Sequence, residues 1–324
     1  MTPRFKIAVL MGGPSPEHEV SLKTGEMVAD ALTREKYEVE KFLISKDGEW
    51  EIPPQALKNH ADAVFIAMHG TYGEDGTVQD ILESVKIPYT GTGPLGSALA
   101  MNKFLSLRLF RDAGLKTPQS LLVTGNNWKD MPHSIVYRIR NYFEYPIVVK
   151  PNNSGSSVGV SVVKNEGGLD AAMHEAFHIS REVLVQKFIE GKEVTCGVLD
   201  QGLPQSEFAL LPTEIIPKRN NFFDYKSKYD PGGAEEITPA RLHGYQLKQI
   251  QKAAVLAHRL IGCKGFSRTD MILTPKNELY ILELNTIPGL TRESLLPKAA
   301  VASGINFPNL VEKIVHSAFF RLRY

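Results

Sequence analysis

The chain has 324 residues, 43% hydrophobic and 23% charged, an ordinary globular composition too long for one ordinary core. Lys plus Arg number 37 against 36 Asp plus Glu, so no global field marks nucleic acid or an anionic membrane as a partner. No run approaches the roughly 20 apolar residues of a membrane span, and the isolated Cys196 and Cys263 fit buried thiols in a reducing cytosol, so the expected location is cytoplasmic.

The first third alternates strand and helix patterns. The apolar run Ile7 to Met11 reads as a strand buried on both faces rather than a signal peptide. A Gly12-Gly13 turn follows, then a helical pattern through Val28, Ala31 and Leu32 and a second strand over Val39 to Ile44. Ala63 to Met68 is a third strand ending at His69-Gly70, before a helix carrying Val78, Ile81 and Leu82. This rhythm predicts a parallel sheet, with ligands at the carboxyl ends of its strands, where both glycine turns sit.

Pro88 to Gly96 reads as a boundary. Beyond it come a helix over Lys103 to Ala113, a strand at Ser120 to Val123, a helix near Ile135 to Tyr142 and a strand at Ile147 to Lys150. A Ser/Gly loop leads to a strand at Val160 to Val163, a helix over Leu169 to Ile179 and a strand at Val183 to Lys187, the pattern of a small α+β domain. Glu193 to Leu199 opens the last part as a strand. Pro212 to Pro239 is polar with weak periodicity, and a loop that long is usually functional or disordered. A helix over Arg241 to Ile261 precedes strands Phe266 to Leu273 and Leu279 to Leu284. Turn residues 274–278 make these a hairpin. Two helices, near Leu295 to Ser303 and Phe307 to Phe320, close the chain. Domains are expected over residues 1–96, 97–187 and 188–324.

The strongest chemical signal lies on that hairpin. Alternation puts Arg268 and Asp270 on one face of their strand and Glu283 and Asn285 on one face of theirs. Hard oxygen donors of this kind suit Mg2+ held jointly with nucleotide phosphates. An Arg268–Asp270 surface ladder is the rival reading, but the apolar flanks place these groups in a core-like setting, where unpaired carboxylates are costly. Lys150, at a strand end before Pro151 and the loop of residues 152–159, has the chemistry to meet phosphate oxygens, with Gly and Ser letting backbone amides approach an anion. Alone, that loop reads equally as a flexible hairpin turn. By themselves, Lys103 reads as a solvated first-turn lysine, Glu17 as a helix cap, His69 as a structural histidine and Lys228-Tyr229 as an exposed pair. The absence of GxGxxG after the first strand argues against a nicotinamide dehydrogenase.

Taken in order, the stretches GGPSPEHEVS, HGTYGEDGT, YTGTG, VVKPNNSGSSVGV, FFDYKSKY, GFSRTDMIL and ELNTIPGLTRESLLP resemble those of the D-alanine–D-alanine ligases, members of the ATP-grasp superfamily. The similarity runs from about Ile7 to Leu310. It implies a mixed α/β and α+β ATP-grasp fold, an N-terminal parallel-sheet domain plus two α+β domains that clasp ATP. The implied reaction joins two D-alanines through a D-alanyl phosphate for peptidoglycan precursors. D-lactate or D-serine as acceptor is the alternative, and a catalytically dead nucleotide binder a more remote one. The resemblance further implies two Mg2+ ions, replaceable by Mn2+, on Asp270, Glu283 and Asn285. Gln186, Phe188 and Glu193 would hold the nucleoside, and Lys103, Lys150 and Lys228 the phosphates, under a loop closed by Ser156. Glu17 and His69 would place the first D-alanine, and Arg268 and Gly289 would stabilise the oxyanion. Ser294 and Leu295 would hold the second carboxylate, and Tyr229 would link Ser156 to Glu17. Family members are commonly homodimers. Gln186 stands where glutamate is frequent, and Ser154 where an acidic residue is.

Overall fold

The computed structural model describes residues 4–32, 36–155, 158–201, 206–217 and 233–320. Strands β1 (Phe5–Gly12), β2 (Tyr37–Ile44) and β3 (Ala63–Ile66) form a parallel sheet in the order β2-β1-β3. Ile7 to Leu10 are buried, as the continuous apolar run requires of a central strand. Helices α1 (His18–Ala31), α2 (Leu57–His60) and α3 (Thr77–Ser84) belong to this unit. At the carboxyl end of β1 the chain turns through Gly12, whose φ of +91° no side chain favours. A Cβ at Gly12 would also run into the Ile44 carbonyl oxygen, which accepts from the Gly13 amide at 2.7 Å.

Two helices, α4 (Pro94–Met101) and α5 (Lys103–Asp112), lead to the second sheet. It contains β4 (Ser120–Thr124), β5 (Ile147–Pro151), β6 (Ser161–Val163) and β7 (Glu182–Lys187), antiparallel in the order β4-β7-β5-β6. Helices α6 (Gly125–Asp130), α7 (Pro132–Tyr142) and α8 (Leu169–Ile179) supply its core through Trp128, Ile135, Ile139 and Met173.

The third sheet runs β11-β10-β8-β12-β13, with β9 beside β8. Its strands are β8 (Lys192–Leu199), β9 (Phe208–Ala209), β10 (Thr213–Pro217), β11 (Ala234–Ile237), β12 (Phe266–Leu273) and β13 (Leu279–Asn285). Helix α9 (Gly244–Ile261) covers it with Ile250, Ala254, Ala257 and Ile261, at helical spacing. This helix starts in a capping box between His243 and Gln246 and stops at Gly262, left-handed at φ +74°. Leu107 and Phe110 of α5 enter this same core. The closing helices α10 (Leu295–Ala302) and α11 (Phe307–Phe320) return to the first sheet, burying Ala300, Leu310 and Ile314 against it.

The expected polar stretch from Pro212 to Pro239 is shorter than its sequence suggests. Its ends are β10 and β11, paired antiparallel from Glu214↔Ile237 to Pro217↔Ala234. Ala234-Glu235-Glu236-Ile237 lacks apolar alternation because the strand lies at the sheet edge, half in solvent.

Candidate active site

Arg268, Asp270, Glu283 and Asn285 converge on one face of the β12–β13 hairpin. Arg268 lies opposite Asn285 and Asp270 opposite Glu283. A β-bulge falls immediately afterwards, with Met271 opposite Ile281 and Leu282 as the extra residue. The bulge resolves a conflict in β13. Strict alternation would put Leu279, Ile281 and Glu283 on one face; the added residue resets the phase, so Leu279, Ile281 and Leu284 are buried in the core while Glu283 faces the cavity.

The Arg268 guanidinium holds Asp270 bidentately, Nε to Oδ1 and Nη2 to Oδ2, both at 2.8 Å. Thr195 Oγ1 donates to Asp270 Oδ1 at 2.7 Å and Asn285 Nδ2 to Oδ2 at 3.1 Å. The Arg268–Asp270 pair is therefore real but buried, not a surface ladder. Burial works against the Arg268 charge, but Asp270, Glu283 and Glu74 together raise its pKa. Breaking such a buried pair by removing one partner typically costs about 3–5 kcal/mol.

A cavity of about 720 Å3 opens between the second and third sheets. Lys103, Lys150, Gln186, Phe188 and Glu193, all expected around the nucleotide, lie on its wall, with Asp270 and Glu283 facing them. Lys103 is buried rather than solvated: its ammonium lies 3.2 Å from Glu283 and donates to the Ser154 carbonyl. Lys150, at the end of β5, is pushed down to about 8 by burial; Lys103 adds to the fall and Glu283 opposes it. The Gln186 amide donates to Ser120 Oγ at 2.8 Å across the β4–β7 pair.

The first sheet brings a second group of side chains. Glu17 precedes α1 but makes no side-chain cap, so the capping reading fails. A Cβ at Gly70 would come within 2.9 Å of its Oε2, and one at Gly155 within 3.6 Å, which places this carboxylate between the third strand's turn and the Ser/Gly loop. His69 is buried, its Nε2 2.9 Å from Thr24 Oγ1 and its Nδ1 3.5 Å from Glu74 Oε1. Burial alone would lower the His69 pKa, but Glu74 and Glu17 raise it. Because Glu74 also acts on Arg268, the two groups are electrostatically joined.

Gly289 lies under Ser294, whose Oγ a Cβ there would meet at 2.7 Å. Ser294 precedes α10 and accepts from the Thr291 amide at 3.1 Å; Leu295 is buried and reaches the cavity wall. Ser156, Lys228 and Tyr229 lie outside the described residues, so their expected roles rest on sequence alone. Three neighbours escaped sequence reasoning. Glu74, in the HGTYGEDGT stretch, carried no signal separating it from the adjacent Asp75. Buried Glu214 on the cavity wall is held ionised against its burial by Lys192 at 3.0 Å and Arg241 at 3.3 Å. Asn152, fully buried, follows Lys150 by two.

The donor set fits a hard divalent cation shared with a ligand. Asp270, Glu283 and Asn285 offer carboxylate and amide oxygens only, the chemistry Mg2+ selects. Two carboxylates and one amide leave positions of an octahedral ion open to phosphate oxygens and water.

Two sheets grip a nucleotide-sized cavity, Lys150 on one and Asp270 and Glu283 on the other, in the architecture of solved D-alanine ligases, which makes the chain an ATP-grasp ligase. The family model described as D-ala D-ala ligase C-terminus matches residues 109–316, and that for the N-terminus matches residues 6–61 and 52–92. The chain belongs to the D-alanine–D-alanine ligase family. It is 44% identical to the D-alanine–D-alanine ligase of Geotalea uraniireducens over 98% of this chain and 96% of that one. Among solved structures it resembles the VanG D-Ala:D-Ser ligase of Enterococcus faecalis, at a TM-score of 0.85 and 33% identity over 97% of this chain and 99% of that one. The D-alanine–D-alanine ligase of Bacillus anthracis, solved complexed with ATP, matches at a TM-score of 0.79 and 30% identity over 98% of both chains.

Proposed function

We propose that the chain joins two D-alanine molecules into D-alanyl-D-alanine at the expense of ATP, through a D-alanyl phosphate. One observation carries this reading: in a chain of this family, two buried lysines, Lys103 paired with Glu283 and Lys150 at the end of β5, line a cavity of nucleotide size together with the acidic hairpin. A carboxylate and a triphosphate repel one another, and Lys103 and Lys150 offset that repulsion where the γ-phosphoryl group would lie. Asp270, Glu283 and Asn285 would hold Mg2+ there. Bound Mg2+ would neutralise charge on the phosphate oxygens. Gln186, Phe188 and Glu193, on the same cavity wall, would seat the nucleoside. Glu17 would take the ammonium of the first D-alanine, with His69 beside it.

The γ-phosphoryl group passes to the carboxylate of the first D-alanine, leaving ADP. The amine of the second D-alanine attacks the acyl phosphate carbonyl and releases inorganic phosphate and a proton. Arg268, locked in orientation by Asp270, would stabilise the oxyanion formed on that carbonyl, a contribution of about 3–4 kcal/mol where such donors have been removed elsewhere. The amide of Gly289 would share this work. Ser294, at the amino end of α10, and Leu295 would hold the second carboxylate. Lys228, Tyr229 and Ser156, outside the described residues, carry by resemblance alone the work of keeping water from the acyl phosphate.

Relatives differ in the second substrate, so the deciding experiment varies the acceptor. ADP release is measured with ATP, Mg2+ and D-alanine alone, then with D-serine, D-lactate or L-alanine added. D-alanine alone should sustain turnover and yield the dipeptide. A rate at least about tenfold higher with D-serine or D-lactate, a difference of about 1.4 kcal/mol in barrier, with the mixed product dominant, would reassign the acceptor.

A further inference from the structure

Asn152 sits at a crossing of three segments. Helix α5 begins at Lys103, and its first amides have no partners within the helix. The structure supplies partners from elsewhere. The Lys103 amide donates to the Asn152 carbonyl at 3.2 Å, and the Phe104 amide to Asn152 Oδ1 at 2.9 Å. The Leu105 amide donates to Asn102 Oδ1 at 3.0 Å. Asn152 Nδ2 in turn donates to that Asn102 Oδ1 at 3.1 Å and to Glu182 Oε2 at 2.9 Å. The Asn152 amide donates to the Glu182 carbonyl at 2.9 Å, fastening the same residue to the start of β7.

Every polar group of this buried residue is therefore committed, and its bonds tie two elements, the start of α5 and the start of β7, to the chain just after Lys150. Lys103 is the first residue of the helix so anchored. Its ammonium meets Glu283, while Lys150 lies two residues before the anchor. A group that reaches both lysines needs them at a fixed separation, since near-ångström misplacement of charge weakens catalysis steeply.

We propose that Asn152 is a positioning residue that sets the spacing of Lys103 and Lys150 by capping helix α5 from the start of the Ser/Gly loop. The inference rests on the reading of the two lysines as phosphate contacts. Asn152 touches no substrate in this scheme; it acts through the two amines. A polar side chain of this length is needed because it must accept from the helix and donate to Glu182 at once.

The test is steady-state kinetics of ADP release for Asn152→Ala, Asn152→Asp, Asn152→Asp/Glu182→Gln, Lys103→Met and Lys150→Met, with thermal melts of each. Asn152→Ala should lower kcat/KM for ATP about tenfold and leave the KM for D-alanine within about twofold, a split that general loss of fold does not produce. Asn152→Asp faces Glu182 with like charge and should lose more. Glu182→Gln in the same chain turns that acceptor into a donor and should recover at least about half the loss on a logarithmic scale. Should the Asn152→Ala protein not fold, the comparison of Asn152→Asp with the double variant decides. Unchanged kcat/KM for ATP in the Asn152 variants, equal losses for ATP and D-alanine, or no recovery in the double variant would overturn the proposal. If the lysine variants also keep wild-type kcat/KM for ATP, the phosphate reading beneath it falls instead.

Discussion

Lys150 shows how one residue's burial becomes a measurable property of the enzyme. Its amine is held at about 8, against an ordinary 10.5, because burial penalises the charge and Lys103 repels it, with Glu283 pulling the other way. A folded pKa below the unfolded one means that the unfolded chain binds more protons between these limits. Lys150 therefore costs stability below pH 8 and relieves that cost as pH rises toward 10.5. Catalysis runs the other way. A neutral amine cannot offset phosphate charge, so kcat/KM for ATP should fall as pH rises through about 8. The profile of kcat, set in the ATP complex, should break at higher pH, since bound triphosphate favours the ammonium. A kcat/KM profile flat to pH 9.5 would remove Lys150 from the binding step. None of this was visible from the lysine's immediate sequence. Lys103 is the sharper case: locally it reads as a solvated first-turn lysine, and the fold, which brings Glu283 and the Ser154 carbonyl beside it, makes it otherwise.

At the scale of elements, turns and bulges decide what the side chains can do. Gly70 ends the third strand's turn at φ +71°, and a Cβ there would press on Ser15 and lie 2.9 Å from Glu17 Oε2. Gly70→Ala should cost about 1–2 kcal/mol of stability from the left-handed backbone alone. The displaced Glu17 should raise the KM for D-alanine more than that for ATP, whose expected seat is on the other two sheets. Chemical denaturation and the two KM values check this; an equal rise in both would mean a general loosening. The hairpin's acidic face was legible, because Arg268, Asp270, Glu283 and Asn285 follow period two within each strand. The bulge at Leu282 was not, since it is felt only where the apolar Leu279, Ile281 and Leu284 must all reach one core. Edge strand β11 was missed for a related reason: half in solvent, it carries no apolar rhythm. The cross-segment caps on α5 were invisible as well, because Asn152 sits far along the chain from the helix it caps.

Across the whole molecule, βαβ rhythm announced the parallel sheet, but periodicity could not say that α5 would pack on the third sheet or α11 on the first. Those returns matter, because they tie the acidic hairpin, the lysines and the Glu17–His69 group into one interior. No described helix is long and apolar enough to cross a membrane. The cavity draws its wall from two sheets built separately: Val148, Lys150 and Gln186 from one, Glu193, Asp270 and Glu283 from the other. A nucleotide seated there must slow backbone opening in both, as any ligand bound only by the closed form does. Hydrogen exchange with Mg2+ and the ATP analogue AMPPNP should therefore gain protection in β5 and β7 together with β8, β12 and β13, at one common concentration midpoint. D-alanine added afterwards should extend protection to the Gly12–Glu17 and His69–Glu74 turns. If AMPPNP protected the second sheet alone, the nucleotide would not span the cavity, and the charges of Lys150 and Glu283 would not be acting on the same phosphate.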